Sequence, residues 1–483
     1  MLVLCLVLCL VSMSLAHFGD RQGVTRPLHV MHSVISYSLY GDNVRYTEGA
    51  IANHRLMPII YPGWKMRVYY DSTVPMDILR ALDNAHLVNM TGSVIDPMMW
   101  RFLPAADPGV YAFGSRDIDA RLSRREKAAV DEWLDSDYTF HVMRDHPSHG
   151  SFAMSGGMWG CKPVTPTCTA GALRAWGKGT YMHDMNFLGE RVWPVAKRSV
   201  MQHDTFSCDK YGGGLPFPSI RIGDEHVGSV ILAGGQAPRA GDVALLRQAV
   251  PKCRPATIGI GVLTCSCGKE HHENLLPKIL LPSLVATTTW AERTRLHVTV
   301  GIDDDDKLFG NSAWRAQVAG MGIGITFMQV HKPEPHYLCF NDVMRAAFNG
   351  GYDYLARTND DIQFTSKGWM RLAIDTLTGM NGLGVVGPTY KEGNTQILAG
   401  GDMVPRRHLD IFDTYYPVEF PNWWVDDWIM YVYSPKHIHK LEGWHVVHTQ
   451  KHGQRYANGG PGHLLESLVR AGKKRIDAAE RAM

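Results

Sequence analysis

The chain has few cysteines, no excess of basic charge and, beyond its first residues, no hydrophobic run long enough to cross a bilayer. Lys and Arg total 49 against 47 for Asp and Glu, which argues against nucleic acid as a partner because phosphate backbones are held by clustered positive charge. Nine cysteines in 483 residues are too sparse for a disulfide scaffold. Seven remain beyond the opening segment: Cys161, Cys168, Cys208, Cys253, Cys265, Cys267 and Cys339. Cys161 with Cys168 or Cys208 is the candidate bridge, and Cys265-Ser266-Cys267 lacks the second pair a zinc site needs. The favoured reading is of small residues in packed or loop positions.

What is present is a globular chain, 45% hydrophobic and long enough for two cores. The opening MLVLCLVLCLVSMSLA is an apolar run of signal-peptide length ending in small residues, so residues 1–16 read as a secretory signal cleaved after Ala16. The protein is expected in the secretory pathway lumen or secreted. No Lys or Arg precedes the apolar core, so membrane association is expected only if the segment stays uncleaved. Asn89-Met90-Thr91 is a permitted glycosylation sequon, too short a pattern to carry weight.

Strand and helix patterns alternate in both halves, which predicts an α/β protein with mostly parallel, Rossmann-like sheets. In the first half, residues 30–37, 66–70, 86–88 and 110–113 read as strands and 124–134 as a charged amphipathic helix. In the second, 257–264, 296–302, 324–330, 352–356 and 383–387 read as strands, with helices near 340–350 and 368–379. The expected division is a first domain over 25–235, a linker over 236–255 and a second domain over 256–470. A helical stretch at 243–250 interrupts the linker.

The acids at the strand ends repeat. Asp71 follows the second strand of the first half, then come Asp117 and Asp119; Asp303 and Asp304 follow the second strand of the other half, then come Asp360 and Asp361. Gly156-Gly157 answers to Gly400-Gly401. Asp184 lies 65 residues beyond Asp119 and Asp427 lies 66 beyond Asp361; His203 and His448 follow these by 19 and 21. A whole series agreeing in order and distance points to duplication of one domain type.

A nucleotide-sugar donor explains such acids, because its diphosphate leaving group is neutralised by a hard divalent cation held on carboxylates, Mn²⁺ or Mg²⁺. Asp117 and Asp119 share one side of an extended backbone, whereas adjacent Asp360 and Asp361 point apart. His203 and His448 are candidates to complete the two metal shells. Asp71, Asp303 and Asp304 stand where a base or ribose is bound at the carboxyl edge of an α/β sheet. Asp426 and Asp427, set among Trp423, Trp424 and Trp428, are the catalytic candidates, with Asp427 the best placed to deprotonate an acceptor hydroxyl and Asp184 its counterpart.

Over about 200 residues the second half resembles the GT-A class of glycosyltransferases, through Gly301-Ile-Asp-Asp-Asp-Asp306, Arg357-Thr-Asn-Asp-Asp-Ile-Gln-Phe364 and Trp423-Trp-Val-Asp-Asp-Trp428. The resemblance implies a nucleoside site, a metal-binding Asp-x-Asp position, donor contact from Arg357 and an acidic motif against the acceptor. Asn359-Asp360-Asp361 departs from a strict Asp-x-Asp. The first half also resembles a GT-A-type domain, through Ser115-Arg-Asp-Ile-Asp-Ala-Arg121, His141-Val-Met-Arg-Asp-His-Pro147 and Gly156-Gly-Met-Trp-Gly160, segments similar to those of predicted polysaccharide glycosyltransferases. In that reading Arg116 or Arg144 contacts donor phosphates and Asp145 and His146 line the sugar pocket.

The expectation is therefore two tandem GT-A-like domains that move a sugar from a UDP- or GDP-linked donor to a glycan or glycoprotein acceptor, with one or both halves active. Two rivals are a metal-dependent nucleotide-sugar hydrolase and a noncatalytic lumenal glycan-binding protein.

Overall fold

Among the described residues, fifteen short strands, most of them buried, form two separate sheets. The computed structural model describes residues 31–162, 170–208, 210–234, 238–266, 270, 273–331, 340–390, 398, 401–420, 423–449 and 460–483. The opening segment, Cys168, Cys267, Cys339, Gly400 and Asn422 lie outside the described residues.

The first sheet holds β1 (His32–Leu39), β2 (Lys65–Tyr70), β3 (His86–Asn89), β4 (Val110–Arg116), β5 (Phe140–Arg144), β6 (Met158–Cys161) and β7 (Val200–Asp204), in the order β3-β2-β1-β4-β6-β5-β7. The second holds β8 (Ile258–Thr264), β9 (Leu296–Asp303), β10 (Gly324–Val330), β11 (Tyr354–Thr358), β12 (Ile362–Phe364), β13 (Val385–Tyr390), β14 (Gly401–Pro405) and β15 (Ile438–His448), in the order β10-β9-β8-β11-β14-β13-β15-β12. Apart from the added β12, the two orders are one topology. Among the strands the two sheets share, the directions match too: the sixth of each, β6 or β14, runs antiparallel to both its neighbours, and the added β12 runs antiparallel to β15. The duplication inferred from spacing is thus carried by the backbone itself.

Strands buried on both faces need apolar side chains throughout, and helices supply the cover. Helix α1 (Val44–Ile60) follows β1, its N-cap Asn43 accepting from the Arg45 amide; α2 (Arg124–Leu134) starts at Ser123, whose hydroxyl accepts from the Glu126 amide at 3.2 Å. α3 (His183–Phe187) precedes β7. In the second half α5 (Phe340–Asn349) and α6 (Trp369–Gly379) flank the sheet, α7 (Val425–Tyr433) precedes β15, and α8 (Leu465–Arg481) packs on α7.

The stretch expected to be a linker is folded. It forms α4 (Ala240–Gln248), and the Lys252 and Cys253 amides both donate to the Thr205 carbonyl. A Cys208–Cys253 disulfide fastens it there, so Cys208 pairs with Cys253 and not with Cys161. Cys265 is disulfide-bonded as well. The reading of these cysteines as small packing residues is corrected on both counts.

Candidate active sites at the two sheet edges

Sheet register aligns the halves residue by residue. Ser36 of β1 pairs with Ser115 and Gly261 of β8 pairs with Arg357, so Asp119 answers to Asp361, Asp117 to Asn359 and buried Ile118 to Asp360. α3 and α7 give a second alignment. Each is entered through a left-handed residue that is not glycine, Met182 at φ 71° and Trp424 at φ 76°. Asp184 and Asp426 both stand two residues further on, so Asp426 rather than Asp427 is the counterpart of Asp184.

In the second half the two adjacent acids take different partners. Asp361 and His448 face across the sheet edge with Oδ2 and Nε2 3.2 Å apart, and the Thr449 amide and hydroxyl both bind the Asp361 carbonyl. Two ligands cis on an octahedral ion at 2.0–2.2 Å stand about 3 Å apart, so the pair fits a divalent cation. Asp360 points the other way: its Oδ2 accepts from the Thr264 hydroxyl at 2.7 Å, with 1% of the residue exposed. Thr264 in turn accepts from Asn274 Nδ2 at 2.8 Å, which makes Asp360 a brace for the loop rather than an open ligand.

Behind them lies a buried cluster. Arg357 Nε donates to the Tyr416 hydroxyl at 2.8 Å and lies 3.4 Å from Asp402, which also accepts from the Tyr415 and Tyr416 hydroxyls. Burial works against the Arg357 charge, but Tyr416, Asp402 and Asp426 more than offset it. Two buried donors here have no hydrogen-bond partner among the described residues, Arg357 Nη2 and the Tyr390 hydroxyl. Burial raises the Tyr390 phenol above its ordinary value and nearby Arg357 lowers it, while Asp426, Asp361 and Asp402 act to raise it, so this hydroxyl stands among the site's acids. Nothing in the sequence marked Tyr390. Burial, then Asp426, also raises the Asp427 carboxyl. Of the three tryptophans, Trp428 is core, packed on His408 and Phe412, and only Trp423 is well exposed. Asp303 closes β9, and Asp304 pairs with His331 at 2.6 Å.

The first half places its acids alike but neutralises them. A cavity of about 610 Å³ is lined by Asp117, Asp119 and Asp184 together with Arg45 and Arg101. Arg101, from the turn Pro97–Ala106, ion-pairs with both Asp117 and Asp184, the latter at 2.8 Å; Arg45, from the first turn of α1, pairs with Asp119. Burial, then Asp117, pushes the Asp119 carboxyl up while Arg45 pulls it back. The glycine pair explains itself here: a Cβ on Gly156 would collide with Asp184 and Arg101, and one on Gly157 with Asp117. With guanidinium groups standing against all three carboxylates, these residues do not fit a hard divalent ion as they stand.

Several expectations for this half are corrected by burial. His203 is 0% exposed, bonded to His141 at 2.8 Å and Glu132 at 3.2 Å, and does not reach Asp119. Arg116 is spent on Glu126 and backbone carbonyls, and Arg144 on Asp204, Gln202 and the Phe152 and Ala153 carbonyls, so neither guanidinium can meet a phosphate. Asp145 is buried on Arg125 and Arg221, which outweigh burial and hold its carboxyl well below the usual range; His146 does line the cavity. Asp71 caps the turn after β2, accepting from the Thr73 amide at 3.0 Å.

No protein-family model and no curated protein matches the chain. Among solved structures it is similar to Staphylococcus aureus TarS 1–349 in complex with UDP-GlcNAc, at 14% identity over 46% of this chain and 69% of that one, with a TM-score of 0.34. It is similar too to the mannosyltransferase PcManGT of Pyrobaculum calidifontis with GDP-Man and Mn²⁺, at 12% identity over 47% and 74%, TM-score 0.33. A third is glucosyl-3-phosphoglycerate synthase of Mycobacterium tuberculosis with Mn²⁺, UDP and phosphoglyceric acid, at 10% identity over 46% and 77%, TM-score 0.29.

Proposed function

We propose that the chain is a GT-A-type glycosyltransferase whose second half carries a divalent-metal transfer site and whose first half is a second, arginine-neutralised pocket of the same descent. The observation that carries this is the Asp361–His448 pair at the carboxyl edge of a mostly parallel sheet, with Asp426 close by. Asp361 and His448 would hold Mn²⁺ or Mg²⁺, which would neutralise the departing nucleoside diphosphate. Arg357 Nη2 and the Tyr390 hydroxyl offer two unspent donors to the oxygens of that donor. Asp427, with its proton affinity raised, takes the proton of an acceptor hydroxyl, and Trp423 offers an exposed face to a sugar ring. The acceptor is a glycan or glycoprotein, and the disulfides suit the oxidising lumen that the N-terminal segment addresses.

The test is nucleotide release from a panel of UDP- and GDP-sugars, with and without glycan acceptors, in Mn²⁺ or chelator. Acceptor-dependent release that vanishes in chelator and in Asp361→Asn supports the reading. Release without acceptor would make the protein a hydrolase, and glycan binding with no release a lectin.

A further inference from the structure

Three imidazoles converge in the cavity wall of the first half. His146, His149 and His226 each present one ring nitrogen, and these lie within 4.8 Å of one another. His146 and His149 come from the turn after β5, whereas His226 arrives from a loop 77 residues further on, so the fold assembles the group. The His146 and His226 rings stack at 4.6 Å, and His149 lies 5.5 and 5.7 Å from them. Gly228, at φ +81°, lets the His226 loop close in: a Cβ there would meet Met158 Sδ at 2.8 Å and His149 at 3.5 Å.

The bonding pattern leaves ligand capacity. His146 Nε2 stands 2.9 Å from the Asp242 carbonyl, the arrangement that gives the proton to Nε2 and leaves a lone pair on Nδ1, now shared with Ser148. His149 Nδ1 receives only a long 3.3 Å contact from the Asp145 amide. His226 is 5% exposed, and its Nδ1 has no hydrogen-bond partner among the described residues. A buried polar atom left so is unfavourable, and a metal bond removes that cost. An all-imidazole set selects borderline ions over Mg²⁺. Three nitrogens on one tetrahedral ion stand about 3.4 Å apart, within reach of the present spacing by ring rotation.

We propose that His146, His149 and His226 form a site for a Zn²⁺-class ion, whose remaining position takes an oxygen of the cavity's ligand. The site stands independently of the transferase reading of the second half. It is tested on the full chain, stripped with chelator and titrated with Co²⁺ as a spectroscopic stand-in for Zn²⁺. Expected is one equivalent that develops the visible absorption of four-coordinate cobalt, lost in His226→Ala and in His149→Gln and retained in Asp361→Asn and His448→Ala. Circular dichroism confirms that each variant is folded. Two results overturn the proposal: no such absorption in the wild type, which needs no variant to read, or absorption that survives both histidine substitutions and disappears with Asp361→Asn. Failure of the transferase assay leaves this result standing, and the reverse also holds.

Discussion

A guanidinium between two carboxylates supplies positive charge where a divalent ion would, but no chelator can remove it. Arg101 holds that place in the first half, and its removal leaves Asp117 and buried Asp184 uncompensated. Arg101→Met should therefore destabilise the protein by about 3 kcal/mol in urea unfolding at neutral pH. In the second half the pairing residues are the proposed ligands themselves. Asp361→Asn should lower acceptor-dependent turnover about 100-fold or more, equivalent to about 2.7 kcal/mol of transition-state stabilisation, with little change in folding stability. Alongside His141, His149 and His226, which burial also makes harder to protonate, His408 contributes to the pH dependence. It is 1% exposed between the Tyr433 hydroxyl and the Tyr415 carbonyl, both at 2.8 Å, and burial brings it down to about 4 from 6.5. The unfolded chain takes up this proton below 6.5 while the native state resists until about 4, so stability is whole above 6.5 and falls as pH drops to 4. The slope is about 1.4 kcal/mol per pH unit from this group. Urea midpoints between pH 7 and 4 should show it, and His408→Gln should remove this group's share of the slope.

Among elements, the strands written as apolar runs were legible. β1, β2, β3 and β4, and β8, β9, β10, β11 and β13, fall within a few residues of their expected places; for inner strands such as β1, β4, β8 and β11, burial on both faces admits little else. β14 and β15 were not. β15 reads IHKLEGWHVVH, half-exposed along its length, and β14 is the five residues GDMVP, so neither gives a period. The acid repeat was legible because strand ends fix where loops begin, but its members shift by one residue where Asp426, not Asp427, answers to Asp184. Charged residues turned inward were illegible for the opposite reason. Arg116, Arg144 and Asp145 lie in apolar surroundings where charge is rare, and only their partners, Glu126, Asp204 and Arg125, make that burial tolerable. Arg101 sits unannounced in PMMWRFLPAA, and His226 belongs to a loop without pattern. The glycine pair carries an element-scale prediction: Gly156→Ala drives a methyl group into the Asp184–Arg101 pair. It should cost about 1–3 kcal/mol and abolish ligand-induced stabilisation of the first half in thermal shift.

At the scale of the molecule, the Cys208–Cys253 bridge, spanning 45 residues, closes the loop between β7 and the second sheet. Cys208→Ser with Cys253→Ser should lower unfolding stability by about 2–4 kcal/mol and loosen α4, readable as faster hydrogen exchange over residues 240–248. The matched strand orders carry a hazard of their own. A chain with two copies of one blueprint can thread a strand of one copy into the other while both are still open. The lock against this lies in β8. Gly259 and Gly261 leave room there for Tyr352, Val343 and Met344 to press onto the backbone, and the strand in the same register of the first sheet carries Val34 and Ser36 at those positions. Put into the wrong sheet, β1 would bring side chains where not even a methyl group fits. The second half thus rejects the first half's central strand by shape, and two look-alike domains on one ribbon can ripen side by side with that trade closed off.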